Sequence, residues 1–242
     1  MNKNAFPYEP TLMKRATLHW NAHQRWTWKF LSSLDGAQFD LFDRRGVFRE
    51  RSSADRYIEA LLCRHDRLSR LYVSGWRFFE HYSCMLNDFI EPAQAQPDAL
   101  KLFPTSVFNS LLWIIIGSNG SGTDLHRDVL DTHAWLAVIR GRKRVVLHPP
   151  VHIKNYRRFR AEGLNLLRKR CSAGAWRYVE VDDGDLLLIP AGWWHEVRNE
   201  GVTLAVTRNF VTPDIQDRVS LALNAEGLEG LRYRLDQILQ AG

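Results

Sequence analysis

The segment Ala134-Trp-Leu-Ala-Val-Ile-Arg-Gly-Arg-Lys-Arg-Val-Val-Leu147 has two short apolar runs on either side of a glycine. Residues 134–139 and residues 144–147 have the length and the aromatic and β-branched content that are typical of strands. Arg140-Gly141-Arg142 lies between them and predicts a hairpin turn, because glycine adopts the positive φ angles that tight turns require. The segment therefore predicts two adjacent antiparallel strands.

Similar short apolar segments occur throughout the second half of the chain. They are residues 111–116, 178–181, Leu186–Ile189, 195–197 and 202–210. Turns such as Gly184-Asp185 separate them, and short strands divided by turns are typical of a β-sandwich or barrel. After Pro213 the apolar residues follow helical spacing, beginning with Ile215, Val219 and Leu223. This spacing predicts one or two terminal helices.

The first hundred residues have a mixed pattern. We predict helices over residues 22–32, 53–63 and 76–86, and strands over Gln38–Phe42 and residues 71–73. No internal repeat or Gly/Ser linker divides the chain, so we expect one architectural unit. Within it we expect an α/β segment over residues 1–110, a β core over residues 111–212 and a helical segment over residues 213–242.

The composition is typical of a soluble globular protein. Of the 242 residues, 45% are hydrophobic and 12% are aromatic, which excludes disorder as the main description. No apolar run approaches the roughly 20 residues that span a bilayer, and no apolar h-region follows Met1. Three widely spaced cysteines without a CxxC motif predict neither a disulfide framework nor a cysteine-zinc site, and we expect a reducing, cytoplasmic location.

The net charge of +6 and the pI of about 9.4 raise the question of an acidic partner. Basic residues are dense in one stretch, which begins at Lys154 and ends at Arg170. This stretch is consistent with a solvated surface, and it is also consistent with a contact to RNA or to an acidic protein. The charge does not distinguish these interpretations.

A glycine-rich segment leads into the pair His126-x-Asp128. In an extended chain, residues two apart point to the same side, so the imidazole and the carboxylate can bind one metal ion. They are two of the three ligands of the 2-His-1-carboxylate triad that holds non-haem Fe(II). His195, which follows a Pro/Gly turn and two tryptophans, is the candidate third ligand. Read separately, the pair could be an exposed loop pair and His195 a buried structural histidine.

Two predicted strands carry polar residues on unusual faces. Lys143 shares a face with Val145 and Leu147, where an unpaired ammonium is costly, so it either reaches solvent or meets an anion inside. In residues 202–210, Thr207 and Asn209 lie on a face of small and polar residues opposite an apolar face. Such a face suits a strand that lines a ligand cavity as well as one that faces solvent.

The motifs taken together resemble the jumonji-C (cupin-like) oxygenases that depend on Fe(II) and 2-oxoglutarate. The motif sequences are most similar to those of the group that contains the jumonji-C lysyl hydroxylase and proposed arginine demethylase. The matching motifs are Gly122-Thr-Asp-Leu-His-Arg-Asp128, Thr132-His-Ala-Trp135, Arg140-Gly-Arg-Lys-Arg144, Pro149-Pro150, Gly184-Asp185, Ile189-Pro-Ala-Gly-Trp-Trp-His195 and Asn209-Phe210.

The resemblance implies a mainly β fold with flanking helices around a double-stranded β-helix, or jelly roll. It implies that His126, Asp128 and His195 bind Fe(II), and that the iron supplies the chemistry with O₂. The cosubstrate 2-oxoglutarate would bind the iron, and its distal carboxylate would pair with Lys143, which would give this lysine its anion.

The resemblance also assigns supporting roles. Thr207 and Thr123 match positions at which relatives place hydroxyl groups on the cosubstrate, and Asn209 matches an asparagine near the cosubstrate and metal. Leu136 is a departure, because close relatives carry an asparagine there that can hydrogen-bond 2-oxoglutarate. This departure puts the affinity for the cosubstrate in doubt.

The implied reaction is oxidative decarboxylation of 2-oxoglutarate, coupled to hydroxylation of a substrate C–H or to demethylation through hydroxylation. We expect Trp193 and Trp194 to wall the site, and His133 to face the substrate or support the site without binding metal. An amino-acid side chain in a protein or peptide is the favoured substrate. RNA, a free amino acid or natural-product precursor, a non-catalytic binding role, and a homodimer through the C-terminal helices are alternatives left open.

Overall fold

The computed structural model describes residues 7–63, 67–103, 109, 111–150, 176–228 and 230. Within these residues, β-strands predominate. The strands are β1 (Thr11–Met13), β2 (Gln38–Phe42), β3 (Phe48–Ser53), β4 (Tyr72–Trp76), β5 (Leu112–Gly117), β6 (Gly122–His126), β7 (His133–His148), β8 (Arg177–Asp182), β9 (Leu186–Ile189) and β10 (Trp194–Phe210). The helices are α1 (Ala22–Arg25), α2 (Trp28–Ser32), α3 (Ala54–Cys63) and α4 (Gln216–Ala225).

Two long strands organise the β core. The strands pair in the order β1-β9-β7-β10-β5-β4-β2-β3, while β6 pairs with β10 and β8 pairs with β7. The first half of β7 lies between β9 and the second half of β10. Its second half lies between β8 and the first half of β10. Both long strands thus pass from one sheet into the other, which confirms the predicted jelly-roll core in a mainly β fold.

The predicted hairpin at Arg140-Gly141-Arg142 is wrong. Residues 134–147 lie in the single strand β7, which pairs with β10 along both halves. Gly141 has a φ of 81°, and a Cβ there would lie 2.5 Å from the carbonyl oxygen of Val202. The register shifts at the same level of β10, between Glu200 and Leu204. The glycine therefore marks a corner where the strand changes sheets, and the chain does not reverse there.

The first hundred residues follow the predictions in part. Helix α3 and strand β2 are confirmed, but residues 22–32 form two helices because Thr27 is extended and its hydroxyl caps α2 by accepting the N–H of Phe30. The predicted helix over residues 76–86 is wrong. Trp76 ends β4, where its ring packs on Phe39 with centroids 4.9 Å apart, and short 3₁₀ turns follow.

The apolar core has two main clusters of buried residues. The larger cluster joins the N-terminal segment to the outer face of the β core and includes Trp26, Phe39 and Trp135. The other fills the space between the two sheets and includes Leu136 and Val197. Strand β1 pairs with β9, and β4 pairs with β5, so strands of the N-terminal segment join the β core. The predicted boundaries between segments, at residues 110 and 212, stay a prediction.

Two expectations fall on other parts of the chain. The basic stretch from Lys154 to Arg170 lies outside the described residues, and so do the later leucines of the terminal helical pattern, from Leu231 on. Helix α4 confirms the beginning of that pattern. Among the described residues, none of the helices has the length and apolar content needed to cross a membrane.

Candidate active site

A cavity of about 290 Å³ is bounded by residues of β4, β5, β6, β7 and β10. The structure brings all seven predicted site residues to its wall. They are Thr123, His126, Asp128, Lys143, His195, Thr207 and Asn209. Residues that are up to 86 positions apart in sequence therefore share one cavity because the two long strands and β6 converge on it.

Three potential metal ligands lie close together at this cavity. One donor atom from each of His126, Asp128 and His195 lies within 4.8 Å of the other two. His126 and His195 are paired across β6 and β10, and their ring centroids are 4.2 Å apart. Asp128 Oδ1 lies 3.9 Å from His195 Nε2. Two nitrogens and one carboxylate on one side of a cavity form the donor set of a 2-His-1-carboxylate site.

Backbone carbonyl groups orient both imidazoles. Nδ1 of His126 lies 2.9 Å from the carbonyl oxygen of Asp124, and Nδ1 of His195 lies 3.3 Å from that of Trp193. A carbonyl only accepts, so each Nδ1 carries a proton and donates it, and Nε2 is the nitrogen that a neutral imidazole can offer to a metal. Burial, and then the neighbouring His195, lower the pKa of His126 to about 4. The imidazole is therefore neutral at physiological pH, as a metal ligand must be.

The turn after Asp128 is strained and supported. Leu130 and Asp131 have φ angles of 54° and 55°, which β-carbon-bearing residues rarely adopt. The Thr132 hydroxyl donates to the carbonyl of Val129 at 2.8 Å. The buried Asn209 amide in turn donates to this hydroxyl at 2.9 Å. Asn209 thus supports the turn that carries Asp128. The resemblance predicts an asparagine near the metal and the cosubstrate at this position.

Lys143 lies at the same cavity without any exposed surface. Its Nζ donates to Asn199 Oδ1 at 2.7 Å and lies 3.5 Å from the hydroxyl oxygen of Tyr72. In the described part of the chain it has no carboxylate partner within 4 Å, and burial lowers its pKa to about 7. A buried ammonium with neutral partners favours an anionic ligand in the cavity, since such a ligand offsets the cost of burial.

Two threonines add hydroxyl groups to the cavity wall. Thr123 hydrogen-bonds to the phenol of Tyr72, which is fully buried. The Thr207 hydroxyl donates to the carbonyl of Trp135 at 2.8 Å. Both threonines line the cavity, and their contact with a cosubstrate stays a prediction.

Sequence reasoning missed three residues of the site. Trp113 and Tyr72 line the cavity from β5 and β4, and Asn199 contacts Lys143 from β10. Asn199 could have been found, because it lies four residues after His195 and thus on the same face of a strand. Tyr72 and Trp113 carry no such signal, since their place depends on the pairing of β4, β5 and β10.

The expectation that Trp193 and Trp194 wall the site is wrong. Neither lines the metal cavity, because Trp194 is adjacent to His195 on β10 and points to the opposite face, where its ring lies 5.3 Å from the Arg127 guanidinium. Trp193 packs in the core between the sheets. His133 also lies away from the metal cavity: its Nδ1 accepts the backbone N–H of Ala191 at 2.9 Å and so supports the turn before His195.

Leu136 lines the cavity as part of an apolar wall. Its neighbours at the cavity include Ala134, Ile189 and Ile115. The position at which relatives carry an asparagine therefore offers no hydrogen bond here.

The fold and the site together define the class of this protein. The family model for the cupin-like domain matches residues 2–215, so the chain belongs to the cupin-like family.

Particular relatives carry more specific names. The chain is 30% identical over 226 residues to the bifunctional arginine demethylase and lysyl-hydroxylase psr-1 of Caenorhabditis briggsae, which covers 84% of this chain and 56% of that protein. It is 27% identical to the lysine-specific demethylase JMJ21 of Arabidopsis thaliana, over 85% of this chain and 23% of JMJ21. It is 24% identical to the 2-oxoglutarate and iron-dependent oxygenase JMJD4 of Danio rerio, over 58% of this chain and 36% of JMJD4. The chain thus spans about half the length of psr-1 and less of the others.

Proposed function

We propose that this protein is an Fe(II)- and 2-oxoglutarate-dependent oxygenase that hydroxylates an amino-acid side chain in a protein or peptide. The observation that carries the proposal is the single cavity that holds both His126, Asp128 and His195 and the buried Lys143. The first group suits a divalent metal and the second suits an anion. A dicarboxylate that binds a metal at one end and a cation at the other satisfies both.

The residues present fit the two groups. Two imidazole nitrogens and one carboxylate suit Fe(II), and a triad leaves coordination positions open for other ligands. The Lys143 ammonium has no acidic partner among the described residues and suits the distal carboxylate of 2-oxoglutarate. When bound, iron and cosubstrate supply the oxygen activation that protein side chains lack.

The chain's own residues bind, orient and exclude water. His126 and His195 present Nε2 because each Nδ1 donates to a backbone carbonyl. Lys143 would fix the far end of the cosubstrate, and the apolar wall around Leu136 would keep water from the reacting atoms. Arg127 also lines the cavity, where it pairs with Asp131 at 3.3 Å.

The names of the relatives support a protein substrate. Those relatives are called arginine demethylase, lysyl-hydroxylase or oxygenase, and the same site chemistry serves hydroxylation and demethylation of an N-methyl group. A reducing, cytoplasmic location remains part of the proposal and rests on the cysteine pattern alone.

Turnover of 2-oxoglutarate tests the proposal. The Fe(II)-loaded protein is incubated with 2-oxoglutarate and O₂, with and without a pool of Lys- and Arg-containing peptides, and succinate is measured. We expect succinate in the wild type, more of it with peptides, a mass gain of one oxygen on a peptide, and none of these in Asp128→Ala. Cosubstrate binding without succinate would favour a binding module instead. Stimulation by RNA and not by peptides would overturn the protein substrate.

A further inference from the structure

Asn199 lies between the cosubstrate lysine and a polar loop. Its side chain is buried, and Asn199 and Lys143 are directly paired across β10 and β7. Oδ1 accepts from Lys143 Nζ at 2.7 Å, and Nδ2 donates to the Ser121 hydroxyl at 2.9 Å. Both ends of the amide therefore have a partner in the protein.

The orientation of this amide is fixed by the hydrogen bonds around it. The Ser121 hydroxyl donates its proton to the carbonyl of Ser118 at 2.7 Å, so it accepts from the asparagine. The end of the amide that faces Ser121 must then be the NH₂ group, and the end that faces Lys143 must be the carbonyl oxygen. The backbone is held as well, because Asn199 N–H donates to Ser121 O at 2.8 Å.

Gly117 makes room for this arrangement. A Cβ at Gly117 would lie 2.3 Å from Ser121 Oγ, 2.6 Å from Asn199 Nδ2 and 2.6 Å from Tyr72 Cδ2. No real Cβ tolerates such contacts. The packing of these side chains around the lysine thus depends on the absence of a side chain at residue 117.

The neutrality of the amide matters for the ligand. An ammonium has three N–H donors, and Asn199 accepts one of them while Tyr72 lies near a second. A neutral acceptor orients the ammonium and leaves its positive charge available to the cavity. A carboxylate in the same place would form an internal ion pair and compete with the cosubstrate.

We propose that Asn199 is the positioning residue for Lys143, and that its neutral carbonyl oxygen sets the affinity of the site for the distal carboxylate of the cosubstrate. This inference rests on the proposed function, since it concerns the same cavity. The lowered pKa of Lys143, about 7 because of burial, is consistent with a lysine that has no internal counter-ion. Among the described residues, the titratable group that contacts Lys143 is Tyr72, whose pKa is raised by burial and which is therefore neutral.

Direct binding of 2-oxoglutarate to the Fe(II)-loaded protein, measured by anaerobic calorimetry, tests the inference. In Asn199→Asp we expect the dissociation constant to rise at least about 30-fold, because the new carboxylate pairs with Lys143. Its affinity should also stay constant between pH 7 and pH 9, where the wild type weakens, because an ion pair raises the lysine pKa. Fe(II) affinity should stay within about twofold, since the metal ligands are unchanged.

Two further variants keep the test informative. Asn119→Asp makes the same chemical change on the neighbouring loop, where the side chain is exposed, and should bind 2-oxoglutarate like the wild type. Asn199→Ser, which is neutral but too short to reach the ammonium, should weaken binding by about tenfold and keep the wild-type pH profile. The Asn199→Ser variant therefore tests the inference even if Asn199→Asp does not fold.

The possible failures are distinct. If Asn199→Asp and Asn199→Ser bind 2-oxoglutarate with the wild-type affinity and pH profile while Lys143→Ala does not, the positioning role is refuted and the proposed function stands. If the metal-loaded wild type itself does not bind 2-oxoglutarate, the proposed function fails instead.

Discussion

The two ends of the candidate cavity are built in different ways. At the metal end, His126 and Asp128 belong to one short motif, and each histidine is oriented by a carbonyl two residues before it. At the lysine end, Lys143 is held by Tyr72 from β4 and Asn199 from β10. The imidazoles of the metal end are thus oriented by local contacts, although β6 and β10 must pair to bring them together, and the lysine is oriented by contacts from distant strands.

Because of this difference, metal binding and cosubstrate binding depend on different contacts. Local supports keep the ligand geometry intact when other parts of the cavity change, so metal binding should tolerate substitutions at the lysine end. The lysine end depends on how three strands pack, so cosubstrate affinity should respond to changes in any of them. We expect metal binding and cosubstrate binding to be separable by mutation.

The largest effect should follow from loss of a metal ligand. Each of His126→Ala, Asp128→Ala and His195→Ala removes one of three donors, so Fe(II) affinity should fall more than about 100-fold and turnover should vanish. Anaerobic Fe(II) titration and succinate formation measure these effects. His81→Ala is the matched control, because this histidine is exposed and is not among the residues that line the metal cavity. Loss of Fe(II) binding in the control alone would contradict the assigned triad.

Lys143→Ala should weaken 2-oxoglutarate and leave the metal in place. Removing the charged partner of the distal carboxylate should raise its dissociation constant by about 100-fold, since buried charge pairs typically contribute 2–5 kcal/mol. Fe(II) affinity should remain at the wild-type value. Calorimetry with each ligand separately distinguishes the two. An equal loss of iron would show that the two ends of the cavity are not independent.

The pH dependence of cosubstrate binding should report on the lysine. Burial lowers the Lys143 pKa to about 7, so the ammonium is present below that pH and is lost above it. Affinity for 2-oxoglutarate in the Fe(II)-loaded wild type should therefore fall by roughly tenfold per pH unit above about pH 7. In Lys143→Ala the residual affinity should be flat over the same range. A flat wild-type profile would exclude a charge-dependent role for this lysine.

The smallest expected effect concerns Leu136. Leu136→Asn places an amide where the apolar wall offers no hydrogen bond, and one new bond to the cosubstrate should strengthen its binding by about threefold to tenfold. Metal affinity should not change. Calorimetric titration of 2-oxoglutarate into the Fe(II)-loaded variant measures the effect. Weaker binding would mean that the site accepts its cosubstrate in a position the amide obstructs.

Much of this site could be predicted from the sequence, because its key residues lie in motifs with local meaning. Spacing and a Pro/Gly turn made His126, Asp128 and His195 candidate ligands, and the apolar strand face singled out Lys143, but their roles came from the family resemblance. Short strands and turns predicted a sandwich or barrel, and the resemblance narrowed this to a jelly roll. The corner at Gly141 could not be predicted. A glycine corner within one long strand and a chain reversal have the same local sequence, so a hairpin was predicted there instead.

Other features depend on pairing that no local pattern encodes. Tyr72 reaches Lys143 because β4 pairs with β5 and β5 pairs with β10. Trp194 is different, because it faces away from the cavity as the immediate neighbour of His195 on β10, where side chains alternate. Only the position of Tyr72 therefore requires the register of strands that are far apart in sequence.

The most direct test of the account is an anaerobic titration of the Fe(II)-loaded protein with 2-oxoglutarate, followed through the visible metal-to-ligand charge-transfer band. We expect the band in the wild type and its absence in His195→Ala. That result would show that iron, cosubstrate and the third ligand meet in one site. An absent band in the wild type, with Fe(II) bound, would contradict the central claim that one cavity holds both a metal ligand set and a cosubstrate lysine.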